Sequence, residues 1–433
     1  MPSDDLFGAL FVPAAVREAT CGRAWVQAML DAERALAAAG ARAGILPATA
    51  AAAIAAACDA SRFDSEQLGL HARAAGNPAE PLARVLREAV GDEMGRWVHH
   101  GATSQDVLDT AAMLVARRAL ELVLDDLGAA ARTCAALADG HRRTLMTART
   151  LLQPAVPTTF GLKAASWLVG ILDGRSRLAA VRAQLPAQLG GAAGTLAALG
   201  SHGLEVLRWY AEELGLREPV LPWHALRAPV VELGTALALA AGALEKVALD
   251  VVLLAQAEVG EVRVRGGGSS TMPQKRNPVD AVLVIACARQ VRSAAAALVS
   301  LPAHEHERAA GAWHAEWRAL SDALALAGGA AAAARVCLEE LEVDAERMRR
   351  NLDAAGSALL AERVTLRLTE RLGRARAHAL VGELAGGELP FREGLLAHLQ
   401  PGEIDELLDP AGYLGSAAAF VDRALAVAGA ELP

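Results

Sequence analysis

Aromatic residues are scarce in this chain, and their scarcity limits the kind of core it can build. Only 3% of the 433 residues are Phe, Trp or Tyr, whereas 53% are hydrophobic, so the apolar residues are mostly Ala, Leu and Val. Ala and Leu are strong helix formers, and the prolines fall mainly outside the long periodic stretches. The composition therefore predicts an all-α protein whose helices pack closely.

Paired cysteines, basic charge and uncharged apolar runs are also missing. The five cysteines lie far apart without a CxxC pair, which is typical of reduced thiols in the cytoplasm and not of disulfides or a zinc site. The N-terminus lacks a basic segment followed by an apolar run, and charges interrupt the apolar helical stretches, so neither a signal peptide nor a membrane span is expected. A net charge of −8 argues against a general nucleic-acid binder.

Helical periodicity and breakers divide the chain into three predicted domains. Residues 1–110 read as shorter helices, 111–350 as a central bundle of long helices, and 351–433 as a more punctuated helical domain. The shorter helices include residues 23–41 and 48–60. The long helices are expected over residues 111–145, 158–185, 229–264, 278–301 and 307–335.

A glycine-rich string, RGGGSSTMPQKRNP, occupies residues 265–278 between two of these long helices. Consecutive glycines allow backbone conformations that other residues avoid, so one interpretation is a flexible linker. The other interpretation is chemical. A serine needs nearby donors to act as a base, and Lys275 and Asn277 could supply them to Ser269 or could bind a carboxylate. Residue types alone leave both interpretations open.

A second polar string, VHHGATSQDVLDT, runs from Val98 to Thr110 before a predicted long helix. Ser104 could simply cap that helix. Free amides and hydroxyls at a helix start are equally suited to a carboxylate. The residues alone do not decide between capping and binding.

The glycine-rich string resembles the GSSxMPxKxNP signature of the fumarase/aspartase superfamily and meets every fixed position of it. The second string resembles the superfamily's HxGxTSxD segment, which binds a substrate carboxylate. The resemblance implies an all-α, three-domain fold around a long-helix bundle, with Ser269 as the catalytic serine and Lys275 beside it. It implies substrate binding by His99, Thr103, Ser104, Gln105 and Asn277.

Residues 148–161, ARTLLQPAVPTTFG, resemble the superfamily's GRTHxQxAxPTTFG segment. Leu151 replaces the histidine to which many lyases of the superfamily assign an acid/base role. A leucine cannot transfer a proton, so a mechanism through that position is excluded, and an apolar residue there is a mark of the bacterial cycloisomerases. The segment adds these substrate-binding candidates: Arg149, Thr150, Gln153 and Thr158.

Residues 304–317, HEHERAAGAWHAEW, are close to the cycloisomerase string HERAAGAWxAEW and make Arg308 a candidate partner for a substrate carboxylate. Trp313 and Trp317 stand where adenylosuccinate lyases bind a phosphate, which disfavours a purine nucleotide. The histidines lack HExxH spacing, so no metal is expected.

Residues 221–227, LPWHALR, resemble the cycloisomerase segment PWHTxR. A Pro-Trp turn that docks on the core is an equally simple interpretation. His224 and Arg227 are therefore weak site candidates.

The resemblance implies cycloisomerisation of 3-carboxy-cis,cis-muconate in protocatechuate breakdown by the β-ketoadipate route. One substrate carboxylate adds to a conjugated double bond, and Ser269 protonates carbon. It also implies a homotetramer whose active sites are shared between subunits, with no metal or organic cofactor. Two alternatives remain. One is a lyase that eliminates an amine from a succinyl adduct, because the MPQK form of the loop, with Gln274, also occurs in argininosuccinate lyases. The other is a catalytically silent structural member of the superfamily.

Overall fold

The computed structural model describes residues 6–264, 267, 272 and 275–432, and most of these residues are helical. The N-terminal region consists of short helices around one longer helix, α3. In chain order, α1 to α7 are Leu6–Phe11, Ala14–Thr20, Gly22–Arg42, Ala48–Ala57, Ser65–Ala75, Ala79–Val90 and Asp92–Gly95. The helices predicted over 23–41 and 48–60 are α3 and α4, although α4 ends at Ala57.

Mostly longer helices and three short strands follow, and the first two strands form a hairpin. In chain order they are α8 Ser104–Gly140, β1 Leu145–Thr150, β2 Gln153–Thr159, α9 Phe160–Gln184, α10 Gly203–Leu214, α11 Ala228–Leu254, β3 Val262–Arg263, α12 Val279–Val299 and α13 Ala312–Glu339. The five helices predicted for the bundle correspond to α8, α9, α11, α12 and α13, so the all-α fold with long central helices is confirmed.

The C-terminal part returns to shorter elements. They are β4 Glu342–Val343, α14 Ala345–Ala354, α15 Ala361–Leu372, α16 Arg374–Gly386, α17 Phe391–Leu395, α18 Pro401–Leu407 and α19 Ala417–Glu431. Strand β4 pairs with β3 in antiparallel fashion. Helices α15 to α18 bury a shared hydrophobic cluster that includes Val364, Ala377, Leu395 and Ile404.

Several predicted boundaries were wrong. The helix expected over 229–264 ends at Leu254, and the chain then turns at Gly260, where φ is +61°, before entering β3. Helix α13 begins at Ala312 and not at residue 307, because Gly311 takes a φ of +119° outside the helical range. Helix α8 begins at Ser104 and ends at Gly140. The antiparallel β1–β2 hairpin has no counterpart among the predicted elements.

By its internal contacts the chain forms two compact units. Unit 1 comprises Met1–Leu127, Asp173–Glu245 and Leu283–Ala334, and unit 2 comprises Gly128–Leu172, Lys246–Val282 and Arg335–Pro433. The division into domains 1–110, 111–350 and 351–433 stays a prediction.

Small residues let the long helices of unit 1 approach closely. A Cβ added to Gly174 of α9 would lie 3.0 Å from the Cα of Ala240 on α11. A Cβ on Gly234 of α11 would lie 2.7 Å from the side chain of Leu298 on α12. These contacts are tighter than ordinary side-chain packing allows, so the alanine- and glycine-rich composition is what permits the helix spacing.

Helices α12 and α13 are long and apolar enough to cross a membrane by length and composition alone. In their most apolar windows, 33% and 67% of the residues are buried within the structure. The core helices of water-soluble proteins pass the same test, so this pattern is weak evidence for a membrane span.

Replacing Gly161 with Ala should destabilise the protein. In unit 2, a Cβ on this residue would lie 2.7 Å from the carbonyl oxygen of Ala138 and 2.8 Å from the backbone nitrogen of Arg142, and neither backbone atom can move without disturbing its helix end. Such overpacking should lower the free energy of unfolding by about 1–3 kcal/mol, measured by urea or thermal unfolding at one protein concentration.

Gly140→Ala provides the matched control, because a Cβ there meets no atom within 4 Å. It should leave stability unchanged or raise it by up to about 1 kcal/mol, since alanine is the better helix former. Equal effects of the two substitutions would contradict the close contact at Gly161.

Candidate active site

The start of α8 is organised by a carboxylate. Asp106 Oδ2 accepts a hydrogen bond from the backbone N–H of Thr103 at 2.9 Å, which satisfies a donor at the helix start. Ser104 is the first residue of α8. Thr103 and Ser104 are both partly exposed.

The same carboxylate also holds the glycine-rich segment that follows α9. Asp106 Oδ1 accepts from the backbone N–H of Gly190 at 2.9 Å, and Oδ2 accepts from that of Gly191 at 2.9 Å. His224 Nε2 lies 2.6 Å from Oδ1. Both Asp106 and His224 are buried, so this histidine acts as a structural partner of α8 within unit 1.

One turn further along α8, Asp109 forms a buried ion-pair cluster. Arg227 donates from Nη1 and Nη2 to the two oxygens of Asp109, at 2.7 and 3.0 Å. It also donates from Nε to Glu316 at 2.9 Å and from Nη2 to the same carboxylate at 2.5 Å. Burial by itself lowers the pKa of Arg227, but the charges and hydrogen bonds of the two carboxylates raise it above its ordinary value. We call Asp109, Arg227 and Glu316 the buried ion cluster.

Trp313 belongs to this arrangement, because its Nε1 donates to Asp109 Oδ1 at 2.9 Å. The side chain of His304 is fully buried, with Nε2 at 3.3 Å from Glu316. Within the described ranges 6–264, 267, 272 and 275–432, no group of three or more His, Cys, Asp or Glu side chains could hold a metal ion.

Arg308 differs from Arg227 in its partners. Its Nε donates to Gln105 Oε1 at 3.1 Å, and its Nη2 donates to the carbonyl oxygen of Ala192 at 3.1 Å. Among the residues that the structure describes, no carboxylate lies within ion-pair distance of this guanidinium. A cation held by uncharged oxygens keeps its charge available for a carboxylate ligand.

His99 is held by Glu33 of α3. The ring Nδ1 lies 2.5 Å from one oxygen of Glu33, and the backbone N–H of His99 donates to the other at 3.0 Å. The backbone of His99 takes a φ of +63°, which two bonds to one buried carboxylate help to maintain. Burial lowers the pKa of His99, but the charge of Glu33 and the hydrogen bond to it outweigh burial, so the pKa lies above its ordinary value.

The remaining predicted residues lie in unit 2. Arg149 on β1 forms a bidentate ion pair with the buried Glu261, with Nη1 and Nη2 donating at 2.9 and 2.6 Å. Asn351 donates to the same carboxylate at 2.8 Å. The charge of Arg149 is therefore compensated within the protein. Thr150 and Gln153 face each other as the last cross-strand pair of the hairpin.

Leu151 and Leu152 form the turn of the β1–β2 hairpin. Their φ values are +51° and +65°, and this pair of left-handed residues defines a type I′ turn, which normally selects Asn and Gly. Their side chains are 97% and 74% exposed. The other predicted hairpin residue, Thr158, pairs with Met146 on β1.

The ends of the glycine-rich loop are joined. The backbone N–H of Gly267 donates to the carbonyl of Asn277 at 3.2 Å, and that of Asn277 donates back at 3.3 Å. Lys275 is exposed and Asn277 is partly buried. Ser269, the predicted catalytic serine, lies outside the described residues, as does Gln274.

The carboxylates that hold these side chains were not predicted from the sequence. Asp106 and Asp109 stand in the quoted α8 string, and their spacing of three places them on one helix face, a signal that could have identified both. Glu33, Glu261 and Glu316 come from distant segments. Their roles have no local sequence signal.

The all-α fold with long central helices, together with the relatives of the chain, identifies the class: an enzyme that acts on a small carboxylate. A family model described as "Lyase" matches residues 13–293. The chain belongs to this lyase family, within the fumarase/aspartase superfamily.

Three relatives illustrate the relationship. The nitrosuccinate lyase of Streptomyces davaonensis is 46% identical over 96% of this chain and 92% of its own. The 3-carboxy-cis,cis-muconate cycloisomerase of Pseudomonas aeruginosa is 45% identical over 98% of this chain and 97% of its own. The crystal structure of the 3-carboxy-cis,cis-muconate lactonizing enzyme from Pseudomonas putida superposes with a TM-score of 0.92 at 43% identity, covering 99% of this chain and 100% of that one.

His99→Gln should reduce stability more at pH 6 than at pH 9. A histidine whose pKa is raised on folding adds stability below its unfolded pKa, and that stability is lost as the pH rises through the folded pKa. The measurement is the free energy of unfolding of both proteins at the two pH values.

His202→Gln is the control, because the His202 side chain is 49% exposed and lies 3.5 Å from Glu205. An exposed pair of this kind contributes little, so the substitution should change stability only slightly at either pH. An effect of His99→Gln that is the same at pH 6 and pH 9 would contradict the raised pKa of His99.

Proposed function

We propose that this enzyme converts 3-carboxy-cis,cis-muconate to carboxymuconolactone. The observation that carries the proposal is Leu151, whose exposed side chain lies at the hairpin tip where many lyases of the superfamily have an acid/base histidine. A leucine cannot protonate a leaving group. Cycloisomerisation has no leaving group, and the relatives at 45% and 43% identity that carry this activity in their names support the assignment.

The proposed reaction is an addition within one molecule. A carboxylate oxygen of the substrate forms a C–O bond at one end of a conjugated double bond, and negative charge moves to the carbon beside another carboxylate as an aci-carboxylate. Ser269 then delivers a proton to that carbon, forming the C–H bond, and the serine alkoxide regains a proton from water. One proton is thus taken up for the carboxylate charge that is lost when the lactone forms. Atoms and charge balance without an oxidant, a reductant or a metal.

The aci-carboxylate carries extra negative charge and needs donors that are already oriented. We propose that Thr103, Ser104, Lys275 and Asn277 supply them. Arg308, whose charge no described carboxylate neutralises, would pair with a carboxylate of the substrate, and His99, held by Glu33, would bind the substrate beside it.

We propose the following roles for the candidate residues of unit 2. Arg149 is neutralised by Glu261, so we propose that it orients the hairpin and presents its remaining polar groups to the substrate. Thr150, Gln153 and Thr158 are the hairpin residues that would bind substrate oxygens.

A second candidate is elimination from a 2-substituted succinate. The relative at 46% identity is a nitrosuccinate lyase, and such a substrate can release nitrite, a stable anion that leaves unprotonated. Leu151 is compatible with that reaction as well. Elimination of an amine is less compatible, because an amine must be protonated as it leaves.

We also propose a homotetramer in the cytoplasm whose active sites are shared between subunits, acting in protocatechuate breakdown by the β-ketoadipate route. Apolar side chains on the long helices support the assembly, since α11 exposes Leu239 and Leu253 and α12 exposes Val282 and Val299. A second copy of the chain could cover them.

A substrate panel tests the proposed function. Purified protein is mixed with 3-carboxy-cis,cis-muconate, and loss of the conjugated-diene absorbance is followed, with nitrosuccinate, argininosuccinate, adenylosuccinate and fumarate in parallel. We expect the highest kcat/KM with the muconate. Turnover of nitrosuccinate alone would replace the proposed function with the second candidate, and turnover of no compound would contradict both.

Ser269→Ala should reduce kcat by about 10²–10⁴-fold, the usual contribution of a positioned proton donor. The neighbouring Ser270→Ala is the matched control and should retain most of the activity. The opposite pattern, with the loss in Ser270→Ala, would move the proton donor to the second serine. Retained turnover in both variants would remove serine from the mechanism.

A further inference from the structure

The guanidinium of Arg308 donates to oxygen atoms that other residues of unit 1 hold in place. Gln105 Oε1 accepts from its Nε, and the backbone carbonyls of Ala192 and Gly191 accept from its Nη2 at 3.1 and 3.5 Å. None of these oxygens is charged. The guanidinium is therefore oriented without being neutralised.

Gln105, which accepts from Arg308, is itself fully engaged. Its Nε2 donates to Asp109 Oδ2 at 3.1 Å and to the carbonyl oxygen of His224 at 3.0 Å. Because both acceptors require the NH₂ group on that side, the amide oxygen must face Arg308. A flipped amide would place donors against the guanidinium. The residue is only 1% exposed.

Behind Gln105 stands the buried ion cluster. Asp109 cannot rotate away from Gln105, because the fork of Arg227 and the indole N–H of Trp313 hold both of its oxygens. Glu316 fixes Arg227 from the other side. A continuous series of hydrogen bonds thus connects the buried ion cluster to a cation at the candidate site.

The backbone carbonyls that accept from Arg308 belong to a segment that is also held by a carboxylate of α8. Asp106 accepts from the backbone N–H groups of Gly190 and Gly191, and this fixes the segment whose carbonyls receive Arg308. Asp106 and Asp109 are one turn apart on α8, so one helix face holds both Gln105 and this segment.

We infer that Gln105, held by Asp109, positions the Arg308 guanidinium for a substrate carboxylate and does not itself contact the substrate. This role differs from the direct contact expected for Gln105 from the sequence. It rests on the proposed function, in which Arg308 binds that carboxylate. Gln105 is accordingly a positioning residue.

A double-mutant cycle tests the inference. Gln105→Leu, Arg308→Ala and the double variant are compared by kcat/KM for 3-carboxy-cis,cis-muconate, or for nitrosuccinate if that is the compound turned over. Gln105→Leu alone should lower kcat/KM by on the order of ten- to a hundredfold, mainly through KM, since Arg308 loses an oriented acceptor. Added to Arg308→Ala, it should have less than about a twofold further effect.

Gln188→Leu is the matched control. Gln188 is equally buried, and its Nε2 also points to Asp109, at 3.5 Å, but its amide oxygen accepts from the backbone N–H of Trp223 and not from Arg308. Gln188→Leu should change kcat/KM by the same factor whether residue 308 is arginine or alanine. A Gln105→Leu effect that is also independent of Arg308 would overturn the inference and favour direct substrate contact.

The cycle is measured in parallel on the dissociation constant of tricarballylate, a tricarboxylate without a double bond. Coupling between residues 105 and 308 in binding, together with no turnover of any compound in the panel, would keep the inference and reject the proposed function. Additive effects of the two substitutions on binding, in a protein that turns over the muconate, would reject the inference and keep the proposed function.

Discussion

The pairing of Arg227 with Asp109 and Glu316 is the interaction on which the rest of unit 1 depends. A buried guanidinium between two carboxylates is stable only with complete hydrogen bonding, and removal of one partner from such a cluster typically costs about 3–5 kcal/mol. The pairing joins α8 to the residue before α11 and to α13, so it sets the relative position of the three helices. Hydrophobic contacts between alanine-rich helices are non-directional and would not select one position so sharply.

The arginines discussed above also differ in whether a carboxylate neutralises them. Buried carboxylates neutralise Arg227 and Arg149. These ion pairs stabilise the structure but leave little charge for a ligand. Arg308 is held by neutral oxygens and keeps its charge. The three arginines lie in three different segments that resemble the superfamily, and only their partners in the structure distinguish a neutralised arginine from one whose charge is available.

In the proposed reaction, Leu151 stands where many lyases of the superfamily have an acid/base histidine. In an elimination with a poor leaving group, an acid must protonate that group, and a leucine cannot. When the nucleophile is part of the substrate, or the leaving group is a stable anion, the acid has no task. The hairpin keeps its type I′ turn although leucine is unfavourable at positive φ, so the strands on either side fix the tip.

The sequence by itself determined the fold class, the long helices and the family. Helix formers and breakers act locally, and the signature over residues 265–278 is contiguous, so both can be read along the chain. The tertiary structure alone decided which charges are paired. Glu261 lies 112 positions after Arg149, and Glu33 lies 66 positions before His99. No local pattern records such pairings, because they form between segments that are far apart in sequence and that only the tertiary packing brings together.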